Sequence, residues 1–335
     1  MARKVLSRSL GYRRVLKSID DVQAPQHSKF LRHTTSRNST LVHQIAKSFV
    51  SLYSRRSPVL KGKVFVQHLG RVLLDGSTVV ATSVDGNRFQ LTFPEDSGSE
   101  SIYFSGTFET GTSSLVRRIL RPNDVVFDIG ANIGWYTILA GKLAAQGECH
   151  AFEPVPWIFE KLRQNCKLNA LYDKTILSQL ALGSEERTAE IHSFKGLPHG
   201  HSSLSRLGRR DYKAAPVKMT TLDKYVETRG VRKIDLVKMD VEGGEREVLR
   251  GAESVFDFDP PPLWIIEMND EAASHFGHSP SDLLRFLQAH GRYSFYRIIH
   301  GWGRTVPMKS VDNYRHGDNV LCAPAERSDS VGALA

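Results

Sequence analysis

The stretch Val125-Val126-Phe127-Asp128-Ile129-Gly130-Ala131-Asn132-Ile133-Gly134 decides how this chain is read. An apolar run carrying one acid passes into small residues and then into the helical pattern of Trp135–Ala145. A strand, a turn and a helix in that order open a βα unit, and in an open α/β sheet ligands bind beyond the carboxyl ends of the strands. Gly130 permits a tight turn with close backbone approach, and Gly134 lets the helix begin against a ligand. Asp128, at the strand end, is placed to accept a hydrogen bond from an ammonium group. Glu153 follows Gly130 by 23 residues at the end of the next apolar run, where a carboxylate can accept both hydroxyls of a ribose. A dinucleotide would require G-x-G-x-x-G, but Asn132 and Trp135 stand where the second and third glycines belong. The turn therefore suits a ribose-bearing cofactor that has no pyrophosphate.

Outward from this unit, buried-strand and helix patterns alternate. Candidate strands are Val125–Ile129, Cys149–Glu153, Ile176–Ala181, Ile234–Asp240, Leu263–Glu267, Tyr293–Ile299 and Asn319–Ala323. Between them lie helical patterns at Trp135–Ala145, Trp157–Asn169, Glu245–Phe256 and Pro280–His290. This alternation predicts an α/β fold with a doubly wound, Rossmann-like sheet of seven strands. Upstream, residues 63–93 carry Val64, Phe65, Val72, Leu73, Val79, Val80, Phe89 and Leu91, punctuated by the turn dipeptides Asp75-Gly76 and Asp85-Gly86. They predict a small N-terminal β appendage. The expected divisions are a basic arm at 1–60, partly disordered or helical, a β-rich appendage at 61–111, a main domain at 112–325 and a tail at 326–335. Within the arm, Leu41, Ile45, Phe49 and Leu52 share one face at helical spacing.

With 40% hydrophobic and 24% charged residues, the composition is that of a globular protein with a sizeable core. Cys149, Cys166 and Cys322 are far apart and form no CxxC pair, so they predict core thiols in a reducing compartment. No run approaches the ~18–20 apolar residues of a spanning helix and no signal peptide opens the chain, so the expected place is the cytoplasm. The net charge of +9 is uneven: residues 1–63 hold 14 basic residues against Asp20 and Asp21, or +12, leaving −3 for the remainder. Such an arm can contact an anionic membrane surface or nucleic acid, making the protein peripheral to a membrane, or can simply keep the chain soluble. Met1–Ile19, rich in Arg and Ser and free of acids, also leaves organelle targeting open.

The runs DIGANIGWYT, AFEP, QLALGS, VKMTTLDKY, IDLVKMDVEGGEREVLRGAESVF and IIE resemble the FkbM family of S-adenosylmethionine-dependent methyltransferases, which mostly methylate oxygen on sugars and natural products. The resemblance covers about residues 105–325, and DVEGGE followed by VLRGA is its most specific part. Gly106-Thr107-Phe108-Glu109 also looks like a short Gly-x-aromatic-Glu element that precedes the first strand in that family. The resemblance implies a class I methyltransferase sheet with S-adenosyl-L-methionine as cofactor. It makes Asp128, Gly130, Asn132 and Gly134 the cofactor loop and Glu153 the ribose ligand, sets Gln179–Leu182, with Gln179 and Ala181, near the adenine, and puts Asp240 beside the transferred methyl.

Methyl transfer to an alcohol needs in-line alignment of the acceptor oxygen and a group to take its proton. Asp240, Glu242 and Glu267 at strand ends and His201 in the preceding loop are the candidate bases, with Asp240 first. Glu242 and Glu245 equally suit an ordinary helix N-terminus, where acids offset the dipole and receive backbone N–H groups. A second route places Mg²⁺ on Asp240, Glu267 and Asn269, hard oxygen donors at adjacent strand ends. No His/Cys cluster supports zinc, and no G-x-x-x-x-G-K-[ST] loop is present. The expected acceptor is a glycan, a sugar or another small hydroxylated molecule. The competing readings are an RNA methyltransferase, drawing on the basic arm, and a non-catalytic binding module that keeps the fold.

Overall fold

The computed structural model describes residues 70–327 apart from 71, 97, 195–201, 206–211, 292, 300, 302, 313 and 315–317. The arm at 1–60, the amphipathic pattern around Leu41–Tyr53 and the last residues of the tail lie outside the described residues. A hairpin opens the described chain: β1 (Thr78–Thr82) pairs antiparallel with β2 (Arg88–Thr92), and helices α1 (Ser99–Ser105) and α2 (Thr110–Ile119) follow. The strand pattern expected earlier is not met at Val72 and Leu73, which fall in a helical turn. Val64 and Phe65 lie outside the described residues, and the described part of the segment before the main sheet holds both strands and helices. The apolar positions of α1, Ile102, Tyr103 and Phe104, are contiguous and all buried, which an alternating strand would not allow.

The main sheet follows the sequence reading closely. Its strands β3 (Val125–Ile129), β4 (Glu148–Phe152), β5 (Ile176–Ser178), β9 (Leu236–Met239) and β10 (Leu263–Glu267) run parallel in the order β5-β4-β3-β9-β10. Beyond β10, β13 (Asn319–Pro324) inserts antiparallel between β10 and β11 (Tyr293–Ile299). Among the described residues the sheet has eight strands, not seven, because β12 (Arg304–Pro307) folds back on β11 as an edge hairpin. With only Thr305 buried in β12, no apolar pattern announced it. Two hydrophobic clusters lie on the two faces of the sheet, one containing Val126, Ala151 and Ile265, the other Phe127, Phe152 and Trp264. Alternate residues of each strand feed opposite faces, so both must be covered by helices.

Helix α3 (Trp135–Leu143) follows β3, α4 (Pro156–Leu168) follows β4, and α5 (Leu222–Arg229) precedes β9. The helix expected at Glu245–Phe256 is two pieces, α6 (Glu245–Arg250) and α7 (Glu253–Phe256), parted where the Gly251 carbonyl accepts the Asp223 N–H at 2.9 Å. After β10 come α8 (Asp270–Ser274) and α9 (Pro280–His290), the latter started by a capping box in which Ser279 and Asp282 exchange side-chain and backbone hydrogen bonds. The strand expected over Ile176–Ala181 breaks after Ser178. The chain turns into a second, three-stranded sheet of β6 (Ala181–Leu182), β8 (Tyr212–Thr220) and β7 (Arg187–Phe194), which the sequence reading missed. All three cysteines are buried free thiols, and burial pushes the Cys166 thiol up to about 11. No described helix is long and apolar enough to cross a membrane.

The hairpin is fastened to the main sheet's first two helices by side-chain amides. Asn165 and Asn169, one turn apart near the end of α4, face the free edge of β2: Asn165 Oδ1 accepts the Gln90 N–H at 2.7 Å, and Asn169 takes both backbone groups of Arg88 at 2.9 and 2.7 Å. The Asn165 Nδ2 donates to the Ile133 carbonyl at 2.8 Å, so one buried amide ties the hairpin to the turn after β3. Trp135 completes the junction, stacking on Phe89 at 5.1 Å and donating from its indole N–H to Ser113 Oγ at 2.8 Å. Replacing Asn165 with Ala should leave the Gln90 N–H and the Ile133 carbonyl unpaired, at a cost of about 1–3 kcal/mol for each group that water cannot reach. Urea unfolding of the variant would measure the loss, and a change below about 0.5 kcal/mol would mean that the junction contributes little.

Candidate functional site

The crevice lies at the carboxyl ends of β3, β4, β9 and β10, where the sheet's parallel strands all terminate. Its floor is the turn after β3. The Gly130 and Ala131 N–H groups both donate to the Phe152 carbonyl, at 3.0 and 2.9 Å, while the Asp240 N–H donates to the Ile129 carbonyl at 3.0 Å. The turn is thereby gripped between the neighbouring strands. At Gly130 φ is +81°, and a Cβ there would lie 1.8 Å from the Asp240 carbonyl oxygen, so no side chain fits. Gly134 is needed differently: φ is +95° and a Cβ would meet Leu162 of α4 at 2.6 Å, away from the crevice lining.

Glu153 is buried, and its carboxylate is aimed by two backbone amides: Oε2 accepts the Asn132 N–H at 3.0 Å and Oε1 the Val155 N–H at 2.9 Å. Burial pushes its pKa up to about 7 despite those two donors. Each oxygen keeps a lone pair for a ligand hydroxyl. Asn132 has φ +50°, and its Oδ1 is buried without a protein partner, a further polar atom at the crevice wall. Asp128 also lines the crevice, with Oδ2 accepting the Thr137 hydroxyl in the first turn of α3 at 2.6 Å. Burial raises its pKa to about 6.

Around these stands a ring of charge. Glu109, Asp128, Glu153, Asp240, Glu242 and Glu267 line the crevice, against Lys238 as the only Lys or Arg of the described lining. Lys238 is 2% exposed in the middle of β9, with Nζ 3.8 Å from Asp240 Oδ2 and 5.3 Å from the centre of the Tyr136 ring. Burial works to discharge it, but Asp240, Glu109, Glu267 and Asp128 outweigh burial and hold its pKa above the usual value. Asp240, Glu242 and Glu267 each offer an oxygen within 4.8 Å of the others. The Asp240 charge, then burial, pushes Glu267 well above the usual carboxylate range. A ring with this excess of acid favours a cationic ligand, or a proton or divalent cation shared among the acids.

The loop that carries Asp240 and Glu242 is held by Glu245. Its Oε1 accepts the Val241 and Gly243 N–H groups at 3.1 and 3.2 Å, and its buried carboxyl is raised to about 7 by desolvation. Glu245 therefore has the backbone-capping role weighed for it, while Glu242, at φ +54°, lines the crevice. Leu180, Ala181 and Leu182 line it as well, joined by Ile191, Ser202 and Leu204 from the second sheet and its loop. Gln179 is exposed and outside the lining, and Asn269 is occupied as the N-cap of α8, its Oδ1 accepting the Ala272 N–H at 3.1 Å. His199 and His201 lie outside the described residues. The sequence reading did not single out Lys238, although a lysine inside the apolar run Ile234–Asp240 was itself a signal, since a buried charge needs partners.

This sheet order is that of a class I methyltransferase fold. Residues 128–293, just under half of the chain, match the model of the methyltransferase FkbM domain. The chain is 30% identical over 161 residues to 31-O-demethyl-FK506 methyltransferase FkbM of Streptomyces tacrolimicus, covering 40% of this chain and 61% of that protein. It is 28% identical over 180 residues to hexuronic acid methyltransferase AglP of Haloferax volcanii, covering 53% and 68%. The first curated relatives are matched over about three fifths of their length, 61% and 62%. A solved methyltransferase FkbM from Methylobacillus flagellatus aligns at 13% identity and a TM-score of 0.42, over 85% of this chain and 60% of that one, too distant to bear on function.

The Glu153 carboxyl gives the site a pH signature. With a folded pKa of about 7 against an ordinary 4.5, it favours the folded state most when protonated. That contribution is present below about pH 4.5 and is lost as the pH rises through 7. The melting temperature of the ligand-free protein should fall between pH 5 and pH 8 more steeply in wild type than in Glu153→Gln, whose amide does not titrate. Parallel pH profiles for the two proteins would place the titration elsewhere.

Proposed function

We propose that this protein transfers the methyl group of S-adenosyl-L-methionine to a hydroxyl oxygen of a sugar, a glycan or another small hydroxylated molecule. The observation that carries the reading is the crevice in which a glycine turn, too tight for any side chain, lies beside an amide-aimed Glu153 and a ring of acids. The turn and Glu153 suit an adenosine ribose, and the ring of acids suits a sulfonium. The orphaned Asn132 Oδ1 and the two-amide orientation of Glu153 fit such a cofactor, which when bound supplies an electrophilic methyl group. Relatives named for 31-O and hexuronic acid methylation support oxygen on a sugar or natural product as the acceptor. A crevice walled by acids gives no support to an RNA acceptor.

In this reading Glu153 holds the ribose hydroxyls, Leu180 to Leu182 flank the base, and Lys238 fixes Asp240. Asp240 takes the proton from the acceptor hydroxyl as the oxygen is alkylated, and Glu267, which favours its protonated form, holds its own proton beside it. The convergence of Asp240, Glu242 and Glu267 favours a second reading, in which Mg²⁺ on those three acids orients a pair of hydroxyls. Asn269, committed to capping α8, would not join that set.

Calorimetry should find binding of S-adenosylmethionine and of its demethylated product, and none of NAD. Absence of binding to either of the first two would overturn the methyltransferase reading. Asp240→Asn should lower single-turnover rates by about 10²–10⁴-fold with cofactor affinity nearly unchanged. Under the Mg²⁺ reading a chelator should abolish activity and added metal restore it. A stable Asp240→Asn protein with wild-type turnover would remove Asp240 from the reaction.

A further inference from the structure

The strongest unexplained group in the crevice is Glu109, which comes from outside the residues matched to the family. It stands at the N-terminus of α2 with φ 41° and ψ 62°, a left-handed backbone that is unfavourable for a non-glycine residue. An acid at such a position ordinarily caps its helix, yet the Glu109 side chain makes no capping hydrogen bond. It turns into the crevice wall instead. There Oε2 accepts the Tyr136 hydroxyl at 2.7 Å and the Asn319 amide at 2.9 Å, so two side chains, one from α3 and one from the start of β13, fix the carboxylate. The neighbouring Phe108 packs edge-on against Trp135, ring centres 6.0 Å apart, which anchors the backbone before it.

Those two bonds use one oxygen. Oε1 has no hydrogen-bond partner among the described residues, and Glu109 is half-buried at the crevice rather than sealed from it. Asp128, the acid read from the sequence as the acceptor for an ammonium, is 2% exposed, and its Oδ2 accepts the Thr137 hydroxyl at 2.6 Å. Lys238 attracts Glu109 electrostatically, but its ion-pair contact, at 3.8 Å, is with Asp240. A pre-aimed carboxylate oxygen with no hydrogen-bond partner among the described residues therefore stands at the wall of an acid-lined crevice.

Resting on the methyltransferase reading, we propose that Glu109 Oε1 receives the α-ammonium of the cofactor's amino-acid end, with Tyr136 and Asn319 as its positioning residues. Recognition of that end then depends on the segment before the main sheet, and Asp128 serves to anchor α3.

Two neutral thioethers test this by titration calorimetry: S-adenosylhomocysteine carries the amino-acid end, and methylthioadenosine lacks it. Wild type should bind the first more tightly. Glu109→Gln should weaken S-adenosylhomocysteine by about 10–100-fold, the scale of a lost charged hydrogen bond, and leave methylthioadenosine within about twofold. Equal losses for both compounds would make Glu109 a scaffold residue and overturn the proposal, as would no loss for either. If Glu109→Gln does not fold, Tyr136→Phe removes one donor while keeping the acid. It should then weaken S-adenosylhomocysteine by about 3–10-fold and spare methylthioadenosine, and a uniform or absent effect would again overturn the proposal. If wild type binds neither compound, the methyltransferase reading itself fails, which separates that failure from failure of the Glu109 assignment.

Discussion

The Gly130 turn passes so close to the Asp240 carbonyl that the ends of β3 and β9 form one surface. Everything in the crevice is positioned from that contact. It brings the loop after β9, with Asp240 and Glu242, to the side of the loop after β3, with Ala131 and Asn132, and the Phe152 carbonyl fastens Glu153 to the same point through two amides of the turn. The chain reaches this approach only because the strands carrying it are buried on both faces and cannot slide. Moving a parallel strand by one residue would exchange the Val126 and Phe127 faces and disrupt both cores at once.

Charge is the second constraint. Lys238 is expensive to bury, and it is kept charged by acids drawn from four places in the chain: the start of α2, the end of β3, the end of β9 and the end of β10. No two of those acids are near each other in sequence. The pairing thus ties the N-terminal segment to the last strands, and it makes the crevice sensitive to any change that removes one carboxylate, because a buried lysine left with fewer partners is destabilising.

The parallel strands were legible because each is an unbroken apolar run, as in Val125–Ile129 and Leu263–Glu267, and such runs are the mark of strands covered on both faces. Gly130, Glu153 and Asp240 were legible for a related reason, since the ends of such runs are where a crevice must be. The second sheet was not. Arg187–Phe194 buries His192 and Ser193 beside Ile191 and Phe194, so its inward face does not read as apolar, and its partner strand begins only at Tyr212. Glu109 was noticed as part of a short element but not as a crevice acid, because its value depends on Tyr136 and Asn319, which are distant in sequence. What a residue is worth at a site assembled from separate loops is set by partners that local pattern does not reveal.

The amides of Asn165 and Asn169 have a further consequence for how the molecule behaves in concentrated solution. A two-stranded ribbon offers two rows of unpaired backbone groups, and each is a template on which another chain can add a strand. Here α4 closes the β2 row with side chains that imitate a neighbouring strand, matching N–H and carbonyl at Arg88 and N–H at Gln90. Among the described residues that leaves β1 as the ribbon's open side, so resistance to strand addition rests on a helix that also supports the crevice. A change to α4 made to alter the site would therefore carry a risk of self-association that catalysis alone would not disclose.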